Sequence, residues 1–243
     1  MATASALLAA RNNAAWCDAV CRASGGTTEL AHGLWRNASP SPPYFPNVIT
    51  VDCSVESSAV EKALRSFSAG SPQVGVKDSF CKLDLSSIGF TKAFEASWIW
   101  RDPVSTDAVP TRLAWSKIDS VANLQAWERE WWPEDHSAAP SPEIFLPTLL
   151  DHESIAFFAA YEGSVMVVGA AITETEGAVG LTCTFYRGPH PEQQRRELLS
   201  VVASQYPGRA ILGYQSGYEL TDMRELGFRE VGPLCVWLGA APR

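Results

Sequence analysis

Three arginines surround the start of a predicted helix in the C-terminal part of the chain. Arg187 precedes the helix predicted for residues 191–205, and Arg195 and Arg196 lie in its first turns. Backbone N–H groups and the helix dipole at a helix start favour negative charge. Guanidinium groups are good phosphate ligands. The segment, with Gly188 in its turn, is therefore a candidate phosphate site, and a solvated basic patch is the alternative.

A polar face on the preceding predicted strand is a second candidate feature. In residues 179–186, strand alternation places Thr182, Thr184 and Tyr186 together, opposite apolar side chains. A polar face inside an otherwise apolar sheet is typical of a cleft wall. It is equally typical of a strand that faces solvent, so both interpretations stay open.

Short strands and helices alternate around these residues and must position them. Apolar runs joined by tight Gly-bearing connectors predict a β-meander, and periodicity predicts the later helices. The predicted order is β-β-β-α-β-α-β, with strands at 155–161, 165–172 and 179–186, a helix at 191–205, a strand at 209–214, a helix at 219–226 and a strand at 231–238.

That order, with Leu226-Gly227-Phe228 before the last strand, resembles the GNAT superfamily of N-acetyltransferases. The resemblance covers about the last half of the chain. It implies an α/β (α+β) fold, a mixed sheet flanked by helices. It also implies acetyl-CoA as acyl donor and a small amine as acceptor.

The resemblance implies that acetyl-CoA lies between the strands 179–186 and 209–214 and that its pyrophosphate lies at the following turn. The cofactor-binding candidates are then Thr184, Tyr186, Arg187, Gly188, Arg195 and Arg196. The turn departs from the family pattern, because it contains one glycine, and Pro189 and Pro191 remove N–H donors.

The resemblance also implies that the site contains a general acid and a general base. The usual acid of the family is a Tyr four residues before the Gly of Gly-Phe, and this chain has Met223 there. Tyr214 and Tyr218 are the nearby substitutes for the acid. Glu174 is a candidate base, and Glu176 and His190 are alternatives to it.

The N-terminal half shows the same succession of elements in shorter form. An apolar strand with Lys77, a short helix, Gly89-Phe90 and a strand with Trp98 match the C-terminal order. A degenerate half-copy of the fold is predicted here, with domains at 1–105 and 106–243 and the boundary in 102–110. The glycine before each Phe is predicted to adopt the left-handed backbone conformation that ends a helix.

Two further local predictions concern the N-terminal half. The pattern Ser58-Ala59-Val60-Glu61 predicts a capping box that opens a helix. The proline-rich segment 40–46 predicts a loop, in which Tyr44 and Phe45 are either packing anchors or a lid over a ligand.

Composition and charge argue against some classes of binding partner. The chain of 243 residues is 46% hydrophobic and 19% charged, with a net charge of −8. An acidic chain without a basic stripe is a poor match for nucleic acid or an anionic membrane.

Cys17 and Cys21 lack a second pair for a zinc site, so we expect no metal and reduced, buried cysteines. A cytoplasmic protein is predicted, with a small-molecule substrate and a possible homodimer.

Two functions from different classes follow. The first is an acyl-CoA-dependent N-acyltransferase that acts on a small amine. The second is a GNAT-fold protein without transfer activity that binds a ligand or another protein, which the single glycine, the two prolines and Met223 favour. A third hypothesis is a cleft between the halves, under the loop 40–46, for another acyl or nucleotide ligand.

Overall fold

A computed structural model describes residues 2–65, 67, 73–103, 111–132 and 143–240. The α-helices in this part of the chain are α1 (Ala4–Ala23), α2 (Ser57–Leu64), α3 (Val121–Trp131), α4 (Pro191–Gln205) and α5 (Gly217–Glu225). Two 3-10 helices lie at Ser86–Ile88 and Pro147–Asp151. The strands are β1 (Thr28–Ala31), β2 (Leu34–Asn37), β3 (Val48–Thr50), β4 (Val74–Asp78), β5 (Thr91–Arg101), β6 (Ala114–Lys117), β7 (Ile155–Glu162), β8 (Val165–Thr175), β9 (Ala178–Tyr186), β10 (Ala210–Gln215) and β11 (Arg229–Gly239).

The strands form a single mixed sheet in the order β1-β2-β3-β4-β11-β5-β10-β9-β8-β7-β6. The C-terminal strand β11 lies between β4 and β5 of the N-terminal half, and β5 lies between β11 and β10. The pairing types repeat outward from the central antiparallel pair β5 and β11, because β3 is parallel to β4 as β9 is parallel to β10. The sheet therefore has a pseudo-twofold arrangement in which each half supplies one central strand to the other.

The two Gly-Phe pairs behave as predicted. Gly89 and Gly227 have φ values of 86° and 87° and follow a short helix in each half. Phe90 and Phe228 are buried directly after them. A left-handed residue ends each helix, and only glycine adopts that conformation at little cost.

Helices cover both faces of the sheet. α1 crosses one face and packs with α3 around Trp16, Trp127 and Phe157. On the other face, α4 and α5 cover the C-terminal strands through Leu198 and Met223, and α2 covers β3, β4 and β11. The central strands are consequently buried on both sides over much of their length.

The capping-box prediction at Ser58 is wrong. Helix α2 begins one residue earlier, at Ser57, and its N-cap is Glu56, which makes no side-chain capping hydrogen bond. The edge strand β1 was not predicted, because its burial is low and its composition, Thr28 to Ala31, gives no apolar alternation. The meander, α4 and the later elements occur as predicted, with ends that differ by no more than three residues.

The predicted domain boundary at 102–110 lies largely outside the described residues, since 104–110 are not among them. Domains at 1–105 and 106–243 stay a prediction, although the two parts share one sheet. In the described residues, no helix is long and apolar enough to cross a membrane.

Candidate functional site

The parallel strands β9 and β10 part before either of them ends. Their pairing comprises Ala210 with Ala178, Ile211 with Val179, and Leu212 with Gly180. β9 then continues to Tyr186, and β10 continues to Gln215 along its other neighbour, β5. Among the described residues, the edges that face the gap have no partner strand, so their backbone groups are available to an extended ligand.

A bulge in β9 lies at this gap. Gly169 of β8 pairs with Phe185 and Ala171 pairs with Thr182, so β9 contains one extra residue there. Cys183 lies within the bulge and has a φ of 49°. Bulges re-aim backbone and side-chain groups and are frequent near active sites. The alternation predicted for residues 179–186 is wrong for this reason, since Val179 and Leu181 pack with α4 and α5, whereas Cys183 and Phe185 pack with α1 and α3.

The gap opens into a cleft of about 150 Å³. Its walls come from both faces of the sheet, because Asn13 and Trp16 belong to α1 whereas Met223 belongs to α5. Polar groups of Thr182, Thr184 and Tyr214 lie beside these apolar walls; the other lining residues are Asn12, Trp98, Ile99, Thr173, Gly180, Leu181, Cys183, Leu212, Gly213, Gln215 and Phe228. The cleft therefore passes through the sheet at the point where the strands part.

Helix α1 is fixed over the closed end of the cleft by Asn12. Its Nδ2 donates to the Thr173 carbonyl and to Thr175 Oγ1, both at 2.8 Å. Gly180 is required opposite this side chain, because an added Cβ would lie 1.8 Å from Asn12 Oδ1. The contact sets the distance between α1 and β9 at the last paired residue of that strand.

Three elements meet at Lys77 on the α1 face. Lys77 Nζ donates to Asn13 Oδ1 at 2.8 Å and lies 4.5 Å from the centre of the Tyr214 ring. The Tyr214 ring also contacts Trp98 at 5.6 Å between centroids. Lys77 extends from β4 and Tyr214 from β10, so the two side chains meet above the central strands.

The start of α4 forms the outer end of the site. His190 is the N-cap without a side-chain cap, Pro191 occupies the first turn, and Gly188 has a φ of 96°. Gln194 Nε2 donates to the Arg187 carbonyl at 2.6 Å and closes the turn. Gln194 Oε1 is buried and has no hydrogen-bond partner among the described residues. The helix start keeps its first N–H donors except the one that Pro191 lacks.

The predicted arginines have different environments. Arg187 donates to the Glu130 carbonyl and stacks near Phe185, which fixes it against α3. Arg195 forms an ion pair with Asp222 of α5 at 2.5 Å and lies over the Tyr186 ring. Arg196 is exposed and lies beside the same α4–α5 groove. The Arg195 and Arg196 side chains are thus near the start of α4, whereas the Arg187 side chain is bound to the end of α3.

Tyr214 alone of the three residues predicted to be catalytic lines the cleft. Tyr218 is 94% exposed in the first turn of α5. Glu174 lies at the opposite end of β8 and β9, where it pairs with Arg209 at 3.0 Å. The alternative bases Glu176 and His190 are both exposed, and neither lines the cleft. The structure brings together Tyr214, Thr184 and Met223, and it does not bring the acidic candidates to them.

Tyr186 lies at the end of the cleft-forming strand. Burial raises the pKa of its hydroxyl to about 12, although a hydrogen bond with Thr184 and the charge of Arg195 lower it. The Tyr186 hydroxyl is therefore protonated at neutral pH. Burial likewise raises the pKa of the Cys183 thiol to about 12, so this cleft cysteine is a thiol and a poor nucleophile.

The N-terminal contribution to the site was not predicted. Asn12, Asn13, Trp16, Lys77 and Trp98 all lie at or beside the cleft. The sequence contained one indication of this contribution, since Asn12-Asn13 is a polar pair inside an alanine-rich helix. Lys77 gave a similar signal as a charge within an apolar strand.

Solved structures provide a comparison for this arrangement. A GCN5-related N-acetyltransferase from Kribbella flavida superimposes with a TM-score of 0.62 over 97% of this chain and 96% of its own, at 15% identity. An acetyltransferase assigned to the GNAT family from Novosphingobium aromaticivorans gives a TM-score of 0.55 over 91% and 96%, at 12% identity. No protein-family model and no curated protein matches the sequence. At such identities, the likeness shows a shared fold.

Proposed function

We propose that this chain, which has the fold of the GCN5-related N-acetyltransferases, binds an acyl-CoA in the cleft between β9 and β10 and transfers the acyl group to an amine. The parting of these strands after Gly180 and Leu212 is the observation that carries the proposal. An extended pantetheine arm would use the unpaired backbone edges as a partner strand does. Its thioester would lie near the bulge at Cys183, where re-aimed N–H groups would stabilise an oxyanion.

The start of α4 supports the phosphate end of the same ligand. Its free N–H donors and helix dipole favour a pyrophosphate, although Pro191 reduces the number of donors. Arg195 and Arg196 supply positive charge beside the groove. Arg195 forms an ion pair with Asp222. To contribute to the affinity for CoA, it must either leave Asp222 and bind a phosphate or bind both groups at once.

The proposed reaction is direct transfer. A neutral amine attacks the thioester carbonyl, the C–S bond breaks, and the products are an amide and a CoA thiol. The amine loses one proton and the leaving thiolate gains one. Tyr214 is the proposed proton donor to the thiolate, because its phenol is more acidic than the threonine hydroxyls in the lining and Met223 has no proton to donate.

Binding of CoA and acetyl-CoA, measured by isothermal titration calorimetry, tests the proposal. Thr184→Phe would place a ring in the cleft, and we expect it to weaken CoA binding at least tenfold. Ser116→Phe, on the exposed edge strand β6, is the control and should leave the affinity unchanged. A thermal shift is the second measurement, because ligand at 100 times its Kd adds about 2.7 kcal/mol to the free energy of unfolding.

The absence of binding at millimolar CoA would contradict the proposal. Binding without CoA-thiol release across a panel of amines would instead support the second function, a GNAT-fold ligand-binding protein. Met223 favours that second function, since it occupies the position of the usual acid and is buried at the cleft.

We also propose that the N-terminal half is a shortened copy of the same fold. The pseudo-twofold strand order and the two left-handed Gly-Phe corners support a duplication. In this interpretation each copy completes the other, because β5 and β11 are exchanged at the centre of the sheet.

A further inference from the structure

A larger cavity of about 880 Å³ lies on the α1 face, beside the cleft. Its floor consists of β4, β5 and β11, with Gly75, Val236 and Leu238 among the lining residues. The loop from Pro40 to Asn47 forms its roof. The volume is within the range of small-molecule sites, which are mostly apolar with a few polar groups.

The roof of the cavity is held by aromatic contacts. Tyr44 packs edge-on against Trp131 at the end of α3 and against Trp132 directly after it, with ring centroids 6.0 and 5.7 Å apart. Phe45 lies 6.1 Å from the Trp16 ring of α1. Both residues also line the cavity, so the packing anchors of the loop face this space.

Lys77 supplies the charge in this apolar cavity. It is the charged residue among those that line it, and its residue surface is only 5% exposed. Its Nζ has one hydrogen bond, to Asn13, and no carboxylate among the described residues pairs with it. An ammonium has three donors, and a buried charge without a counter-ion is costly. The cavity therefore favours an anionic group at Lys77.

Tyr214 lines both the cavity and the cleft. A ligand in the cavity that contacts Lys77 consequently lies near the side chain proposed to serve the leaving thiolate, because Lys77 Nζ is 4.5 Å from the Tyr214 ring centre. The two spaces are arranged as one site for a donor and one site for an acceptor.

We infer that the cavity under the loop 40–47 binds the acceptor, and that it selects an amine with a bulky apolar body and a carboxylate that pairs with Lys77. This inference rests on the proposed acyl transfer. The aromatic and aliphatic walls would bury the body of the acceptor, and the carboxylate would take the two unused Nζ donors. The amine would then be directed past Tyr214 into the cleft.

Tryptophan and tryptophanamide test the inference, since they share a ring and an amine and differ in the carboxylate. By titration calorimetry, we expect tryptophan to bind at least tenfold more tightly than the amide. Lys77→Met should abolish this preference, whereas Lys117→Met, an exposed control on β6, should retain it. Equal affinities in the unmodified protein, no binding of either compound, or a preference that survives in folded Lys77→Met would each overturn the inference.

A second variant covers the case in which Lys77→Met does not fold. Phe94 is 43% exposed at the cavity, so the Phe94→Glu variant should fold. Its carboxylate should lower the affinity for tryptophan at least fivefold more than the affinity for tryptophanamide. Phe94→Gln is its uncharged control and should affect both compounds equally. Equal effects of Phe94→Glu on the two compounds would also overturn the inference.

A CoA titration of the same protein separates this inference from the proposed function. CoA binding without tryptophan selectivity overturns the acceptor site alone. Tryptophan selectivity without CoA binding overturns the transferase, and the acceptor assignment with it. If both bind, acetyl-CoA consumption should show a kcat/KM at least tenfold higher for tryptophan than for tryptophanamide, and the reverse order would contradict the inference.

Discussion

Asp222→Asn should strengthen CoA binding if Arg195 is a phosphate ligand. Arg195 and Asp222 are joined at 2.5 Å, with side chains that are 15% and 41% exposed. A pair with one partner this exposed contributes about 0.2–1 kcal/mol. A phosphate that engages Arg195 must compete with that interaction, so removal of the carboxylate charge returns up to about 1 kcal/mol to binding, or about a fivefold gain in affinity.

The assay is calorimetric titration with CoA at low and at moderate salt, because a screened interaction weakens as salt rises. Arg195→Ala should lower the affinity, and Asp222→Asn should raise it. Glu162→Gln, which removes one negative charge at the end of β7, controls for the change in net charge. The melting temperature of Asp222→Asn should fall by no more than about 4 °C, since loss of the pair costs at most about 1 kcal/mol. If Asp222→Asn and Glu162→Gln bind CoA with equal affinity, the reasoning about Arg195 is refuted.

Two further predictions concern stability. Gly89→Ala and Gly227→Ala should each destabilise the fold by about 1–2 kcal/mol in urea unfolding, because both glycines have left-handed φ values and an added Cβ would meet no atom closer than 3.6 Å; stabilisation by either variant would contradict the left-handed corners. Burial alone would raise the pKa of the Asp18 carboxyl, but hydrogen bonds from Trp35 and Arg22 help to lower it below its ordinary value of 3.8. The stability that Asp18 provides is therefore complete above pH 3.8 and is lost as pH falls through the lower folded pKa. Asp18→Asn should flatten this acid dependence between pH 5 and 2, and identical slopes for the two proteins would count against it.

The sequence predicted most of the local elements because their signals are local. The meander connectors, the start of α4 at Pro191 and the glycine corners each depend on a few neighbouring residues. The GNAT-like order of the last half follows from these elements, and the shared fold confirms it. The position of β11 between β4 and β5 was not predictable in this way, because strand pairing over such a separation leaves no periodic signal along the chain.

The candidate site was predicted only in part for the same reason. The turn predicted to bind phosphate is a continuous segment, so its residues were identified together. The cleft and cavity depend on side chains from distant elements, such as Asn13, Lys77 and Tyr214, whose meeting requires the exchanged central strands. The bulge at Cys183 also depends on a mismatch between two strands, and alternation in one strand does not reveal it.

Within the described residues, side chains fill the place in the N-terminal half that corresponds to the gap between β9 and β10. In the N-terminal half, β3 and β4 pair through Val48 with Val76 and Ile49 with Lys77. Directly beyond this pairing, the Ser79 N–H donates to Thr50 Oγ1 at 2.8 Å, so a side chain closes the place where β9 and β10 are parted. The Asp78 carboxylate accepts from the Phe80 and Leu83 N–H groups, at 3.1 and 2.7 Å, and removes those donors as well.

The helix start in the N-terminal half also differs from the start of α4. Its N-cap is Glu56, whose carboxylate repels phosphate, whereas α4 has Glu192 in its first turn and Arg195 and Arg196 after it. The N-terminal half supplies Lys77 and the central strand β5 to the gap of the other half. The N-terminal half thus lines the α1 side of the cleft, where Asn13 lies, and builds most of the adjoining cavity, which Gly75 and Lys77 line.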